Sequence, residues 1–303
     1  MRKLFFTVIK FNFYILTLCC LSNISFAEQN KTNSQTSIKD QNANVHPFPL
    51  PITFKQQKKE DLQHYFPSTK VKPILVGTDD YLTLVSLNTS ANHKGVAILI
   101  PDWQQGATNP KAINFLRKTL PKYGFTTMSI QVDSKPDSFP STALKLSEQQ
   151  QANKNIIGAY KMKFYALINA VFEQAKEYPG IIIMIAQGNH GALLIDLLSE
   201  NTNLTPNGVV LLSSYRLTND KLLEQANTDF AKNLANIEPP VLDLYLKYDH
   251  DIVINKSPQR LTIVKQEMKT YYRQRQLNNM ATGFYPEQEL LTQIHSWLRA
   301  IGW

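Results

Sequence analysis

The sequence predicts an α/β domain: a mostly parallel central sheet, an antiparallel hairpin at its N-terminal edge, and helices on both faces. Three observations predict it. Continuous apolar runs recur at residues 95–100, 181–186 and 208–212, and 241–246 is apolar but for Asp243, as expected of strands buried on both faces. Stretches of helical periodicity separate most of these runs. Strands alternating with helices imply right-handed crossovers, which leave the strands parallel.

The elements follow in order. Residues 71–76 and 81–87 are β-rich and flank the turn Gly77-Thr-Asp-Asp80, which makes the hairpin. Gly95 to Ile100 is the first run buried on both faces. Residues 112–123 are helical, with Ile113, Leu116 and Leu120 on one face; Gly124 stops them, and 125–132 is a strand. A long amphipathic helix over 156–176 ends at Pro179-Gly180. Ile181-Ile-Ile-Met-Ile-Ala186 is the most hydrophobic strand after the N-terminal segment, and a helix follows over 191–199. The connection 215–239 between the strands at 208–212 and 241–246 is short and helical, with little or no room for a lid. A helix over 257–272, a weak strand over 273–277 and a closing helix over 286–300 complete the chain. The last carries Leu290, Leu291, Ile294, Trp297 and Leu298 on its apolar face.

Ahead of this domain, Arg2, Lys3 and Lys10 surround an apolar run over 4–21, followed by Ser22, Asn23 and Ser25-Phe26-Ala27. Small residues at −3 and −1 set a cleavage site at Ala27/Glu28, so 1–27 reads as a signal peptide and the protein as periplasmic or secreted. Lys10 and Asn12 interrupt the run and argue against a retained membrane anchor, so no stable span is expected after cleavage. Leu18 before Cys19 argues against lipid attachment. Cys19 and Cys20 are the only cysteines, so a cleaved chain has no thiol. That excludes a Cys nucleophile, a thiolate metal site and a disulfide framework.

The formal charge of +8 falls to +5 once Arg2, Lys3 and Lys10 are removed. Lys55, Lys58 and Lys59 are followed directly by Glu60 and Asp61, and no basic block is interleaved with aromatics, so no nucleic-acid partner is expected. Residues 28–65 are a linker and lead-in segment. The part from 28 to about 50, rich in Asn, Gln, Ser, Thr and Lys, cannot bury enough apolar surface to offset its ordering entropy and is expected to be disordered. The folded domain is 66–303. There is no internal repeat.

An open α/β sheet binds ligands beyond the carboxyl ends of its strands. The informative residues are therefore Asp102, Trp103, Asp133, Gln187 to Gly191, Ser213, Ser214, Asp249 to Asp251 and the stretch around Thr282.

The hairpin, the parallel series and a late strand ending in acids resemble the α/β-hydrolase fold, over roughly residues 71–303. The strongest piece is the run from Ile181 through Gln187-Gly188-Asn189-His190-Gly191. It is strand, sharp turn and helix in the place of the nucleophile elbow G-x-S-x-G. Gly191 matches the last glycine, Gln187 stands at the first, and Asn189 takes the place of the serine. A register starting at Gly188 puts His190 there instead. An amide is not a nucleophile, although Asn tolerates the positive φ an elbow demands. The resemblance implies Asp249 as the triad acid, with Asp251 second; the ordinary alternative is a carboxylate that orders a loop. It also implies a histidine in the loop 277–284, which holds Thr282 and no His; His295 lies in the final helix.

Pro101-Asp102-Trp103-Gln104 stands where many hydrolases place His-Gly to shape the oxyanion hole, and a carboxylate there would repel a developing oxyanion. That run, the helix ending near Tyr123-Gly124 and the weak elbow resemble a family of exported bacterial α/β-hydrolase-like proteins known as domain of unknown function 3530. The resemblance implies fold and export, and no substrate.

Two readings of function follow. In the first, the vestigial triad positions Asn189, Asp249 and Thr282 do no chemistry, and Asp102, Trp103, Gln187, His190 and Asp251 bind a small molecule or an envelope protein. In the second, the chain is an esterase or acyl hydrolase with Ser213 or Ser214 as nucleophile, His190 as base and Asp249 or Asp102 as acid. That reading requires these groups within hydrogen-bond reach of one another. Ordinary roles are turn hydrogen bonds for the serines and packing or capping for His190. His250 between two acids is too little for a metal site, so neither metal nor cofactor is expected.

Overall fold

A computed structural model describes residues 51–201, 203–217, 223 and 225–303. The expected signal peptide and the tract 28–50 lie outside these residues. In chain order the elements are α1 (Phe54–Tyr65), β1 (Val71–Val76), β2 (Asp79–Ser86), β3 (Gly95–Ile100), α2 (Ile113–Thr119), a 3-10 turn (Leu120–Tyr123) and β4 (Phe125–Ile130). They continue with α3 (Leu146–Ala175), β5 (Ile181–Gln187), α4 (Gly188–Glu200), β6 (Gly208–Leu212), α5 (Ala226–Asn236) and β7 (Val241–Leu246). The last three are α6 (Asp251–Gln266), β8 (Tyr272–Leu277) and α7 (Glu287–Ala300).

The eight strands form one sheet in the order β1-β2-β4-β3-β5-β6-β7-β8. β1–β2 and β2–β4 pair antiparallel; every other neighbour is parallel. The period of two splits each strand between two cores. Val96, Ile98 and Ile100 of β3 join the core under α3, α4 and α5, whereas Ala97 and Leu99 join the core under α2 and α7. Burial on both faces explains why β3, β5 and β6 read as nearly unbroken apolar runs.

Three elements differ from the sequence reading. α1 lies in the lead-in segment, where no helix is predicted. It buries only Leu62, so it has no apolar periodicity to read. Thr53 Oγ1 caps it, accepting from the Gln56 amide at 3.2 Å, and ion pairs from Lys55 to Asp133 (2.7 Å) and Lys59 to Asp80 (2.5 Å) fasten it to the domain. α3 begins at Leu146, well before the predicted 156, because its first turns are polar and mostly exposed. α6 begins at Asp251 and runs through Pro258, and Tyr272 at the predicted helix end belongs to β8.

β3 lies between β4 and β5, so the connections leaving β3 and β4 run to opposite sides. This is a topological switch point, and the crevice it opens lies between the ends of β3 and β5. Among the described residues, no helix is long and apolar enough to cross a membrane.

Candidate functional site at the β3 and β5 ends

β5 passes into α4 with no intervening loop. The residue that takes the sharp turn is Gly188, at φ +58°, and Asn189 is already helical. This corrects the register. The strained strand-to-helix position is Gly188, one residue before Asn189, and glycine holds it because that φ is costly for other residues. A Cβ added to Gly188 would lie 2.4 Å from Asp102 Cγ. The Asp102 carboxyl therefore fills the space where an elbow side chain would begin.

Asp102 Oδ1 accepts two backbone hydrogen bonds, from the amides of Asn189 and Trp103, each at 2.9 Å. One amide follows the turn residue; the other belongs to the connection after β3. Burial pushes the Asp102 carboxyl up to about 6, against the pull of the amide donors.

Asn189 is buried. Its Oδ1 accepts from the Leu217 amide at 2.6 Å, fastening the segment after β6, and its Nδ2 is buried without a partner. Tyr215 reaches back to the turn through its amide, 3.4 Å from the Gly188 carbonyl, and its ring stacks on His250 at 4.7 Å.

Asp249 stands just past β7 and accepts from three donors. Ser213 Oγ donates to Oδ2 at 2.5 Å, the Leu246 amide donates to Oδ2 at 2.9 Å, and the His250 amide donates to Oδ1 at 2.8 Å. The single Ser213 proton points to Asp249, so the Tyr285 hydroxyl, 2.5 Å away, donates to Ser213. Burial and the Asp249 charge hold the Tyr285 phenol neutral, well above its usual range. Tyr285 is the residue that the sequence reading missed. It comes from the β8–α7 loop, where the fold resemblance implies a histidine. Thr282 in the same loop is exposed and joins nothing.

His190 is fully buried. Its Nδ1 lies 2.5 Å from the Pro101 carbonyl and its Nε2 2.7 Å from the Tyr160 hydroxyl. Its ring stacks on Phe164 at 4.6 Å. Burial pulls the imidazole down to about 4. Pro101 can only accept, so Nδ1 carries a proton, and the single Tyr160 hydroxyl proton faces both Nε2 and the Asp133 carbonyl, 2.8 Å away. His190 is thus neither a base for Ser213 or Ser214 nor a pocket-facing ligand.

The other candidates separate. Ser214 Oγ is fully buried without a hydrogen-bond partner, packed where a Cβ on Gly191 would stand only 1.9 Å away. Gln187 is buried and its Oε1 accepts from Asn109 Nδ2 at 2.7 Å. Trp103 is buried against Phe139 and Tyr160. Asp251 is exposed at the first turn of α6, where a carboxylate complements the helix dipole. Of the proposed binding residues, only Asp102 is both partly exposed and at the crevice. The described residues contain no group of three or more His, Cys, Asp or Glu able to hold a metal.

A family model described as protein of unknown function DUF3530 matches residues 11–300. The chain belongs to this family. Among solved structures, the DUF3530 chain is similar to the dienelactone hydrolase of Anabaena variabilis, at a TM-score of 0.54 and 12% identity, covering 76% of this chain and 96% of that one. It is also similar to TT1662 of Thermus thermophilus (TM-score 0.52, 14% identity, 75% and 98% covered). A third is Est1E of Butyrivibrio proteoclasticus (TM-score 0.50, 13% identity, 75% and 99% covered). At these identities the likeness shows the fold alone, which is that of the α/β hydrolases. No curated protein matches.

Proposed function

We propose that this DUF3530 protein is a non-catalytic α/β-hydrolase-like protein, exported to the cell envelope, that binds a small molecule or an envelope partner. One observation carries the reading: a single oxygen, Asp102 Oδ1, accepts from both the Asn189 and Trp103 amides. In a hydrolase of this fold the amide after the nucleophile and one from the β3 connection form the oxyanion hole. Here an internal carboxylate occupies those donors, and the turn residue beside them is glycine. A negative charge developing there would meet a fixed one.

The remaining groups support the same reading. Gly188 offers no nucleophile, Asp249 is engaged by Ser213, and Tyr285 stands in the loop where the base would be. A phenol held above its usual range cannot accept a proton from a hydroxyl near pH 7. A relocated serine finds no imidazole, because both nitrogens of His190 are committed elsewhere. Export rests on the composition of residues 1–27.

Incubation of the purified protein with a fluorophosphonate probe, alongside short- and medium-chain aryl esters, tests the reading. No labelling and no turnover by folded protein is the expected result. Labelling and turnover that both disappear in Ser213→Ala or Ser214→Ala would overturn it. Fractionation of the source cells tests the export.

A further inference from the structure

A cavity of about 580 Å3 lies between α1 and the connection from β3 to α2. Its size suits a small organic ligand. Phe54 and Tyr65 of α1 line one side and remain 51% and 74% exposed, large apolar faces left unused by the fold. Gln105 lines the cavity as well. Its Oε1 is buried and accepts no hydrogen bond, an acceptor in want of a donor.

Lys58 supplies the charge. Its ammonium lies 3.9 Å over the Phe54 ring and forms no ion pair among the described residues. Its neighbours Lys55 and Lys59 both have carboxylate partners, on Asp133 and Asp80. Burial without a counter-charge pulls Lys58 down to about 8, so an incoming anion would relieve it. Lys111 also lines the cavity without an ion-pair partner, whereas Asp61, the one acid there, is exposed. The cavity floor is tied to the crevice. The Gln105 amide donates to the Asp102 carbonyl at 2.8 Å, and Asn109 bonds Gln187 just before Gly188.

We propose that this cavity binds a small hydroxylated organic acid, with its carboxylate on Lys58, its apolar body against Phe54 and Tyr65, and its hydroxyl donating to Gln105 Oε1. The inference rests on the binding reading above and names its ligand class.

Calorimetric titration of the purified protein tests it with 4-hydroxyphenylacetate, phenylacetate, which lacks the hydroxyl, and 4-hydroxyphenylethanol, which lacks the charge. 4-Hydroxyphenylacetate is expected to bind with a Kd below about 1 mM and the neutral alcohol at least about tenfold more weakly. Lys58→Gln should weaken the acid about tenfold and Lys58→Arg by less than about threefold, because the charge survives. Gln105→Leu should erase the advantage of 4-hydroxyphenylacetate over phenylacetate. Absence of binding by either acid at about 5 mM would overturn the proposal, as would affinities unchanged in folded Lys58→Gln. Fluorophosphonate labelling of the same sample separates the two readings: a labelled protein that still binds the acid through Lys58 would reject only the non-catalytic one.

Discussion

Asp102 Oδ1 lies 2.9 Å from the amide nitrogen of Asn189, across the crevice between the ends of β3 and β5. The contact joins residues far apart in the chain and places a carboxylate on the N-terminus of α4, where amides and helix dipole favour negative charge. Burial nevertheless outweighs these donors and raises the carboxyl to about 6.

Asp102→Asn keeps an oxygen acceptor for both amides and removes the titration. The folded carboxyl at about 6 lies above its ordinary value of 3.8, so the native state binds the proton more tightly than the unfolded chain. The associated stability is present at low pH and lost as pH rises through about 6. Thermal unfolding should show Asp102→Asn matching the wild type near pH 4 and exceeding it at pH 7, by about 1–3 kcal/mol. A constant difference across this range would contradict the assignment.

Gly188 and Asp102 should be energetically coupled. Gly188→Ala places a Cβ at positive φ and 2.4 Å from Asp102 Cγ. The single variant should lose about 2 kcal/mol or more. In the Asp102→Gly background the clash is gone and only the backbone cost remains, so a denaturant double-mutant cycle should return a coupling of about 1 kcal/mol or more.

His190 should stay neutral in the folded protein down to about pH 4. The unfolded chain takes up this proton near 6.5, so it binds more protons than the native state between the two values. This part of the stability therefore falls as pH drops from about 6.5 towards 4, opposite in sign to the Asp102 contribution. Imidazole resonances in an NMR titration read the native pKa directly. Tyr160→Phe removes the hydroxyl that both Nε2 and the Asp133 carbonyl contact and should cost about 1–3 kcal/mol.

Asp243 in β7 and Arg260 in α6 form a fully buried pair, with Nε to Oδ2 at 2.7 Å. Tyr272 and Gln274 of β8 donate to the same oxygen at 2.7 and 2.9 Å. Asp243→Ala strands a buried guanidinium and should destabilise by about 3–5 kcal/mol in urea unfolding. Asp243→Leu combined with Arg260→Met should recover much of that loss, since no buried charge is then left alone.

The sheet was legible because burial on both faces leaves continuous apolar runs at β3, β5 and β6, and the strands predicted at 125–132 and 241–246 contain β4 and β7. α1 was not, because Leu62 alone is buried and a single contact leaves no period. The elbow was legible as strand, turn and helix, but its register was not. Gln187-Gly188-Asn189-His190-Gly191 offers two glycines, and only the backbone geometry shows that Gly188 carries the positive φ. Tyr285 was not legible, because the fold resemblance implies an imidazole in this loop and a phenol carries no such expectation. The available signal was an aromatic hydroxyl at the loop's end, beside the closing helix. Asp243 carried a signal as well: a charge inside an apolar strand demands a partner, though not Arg260 in particular.

By itself the sequence determined the order of strands and helices from β1 onward, the place of the elbow and the absence of a histidine in the last loop. These depend on local pattern and residue type. The tertiary structure decided which groups meet: Asp102 with the Asn189 and Trp103 amides, Tyr285 with Ser213 and Asp249, and His190 with Tyr160 and Pro101. The reason is physical. Hydrogen bonding and desolvation act over a few ångströms between residues distant in sequence, so the chemistry of each group belongs to its neighbours in space.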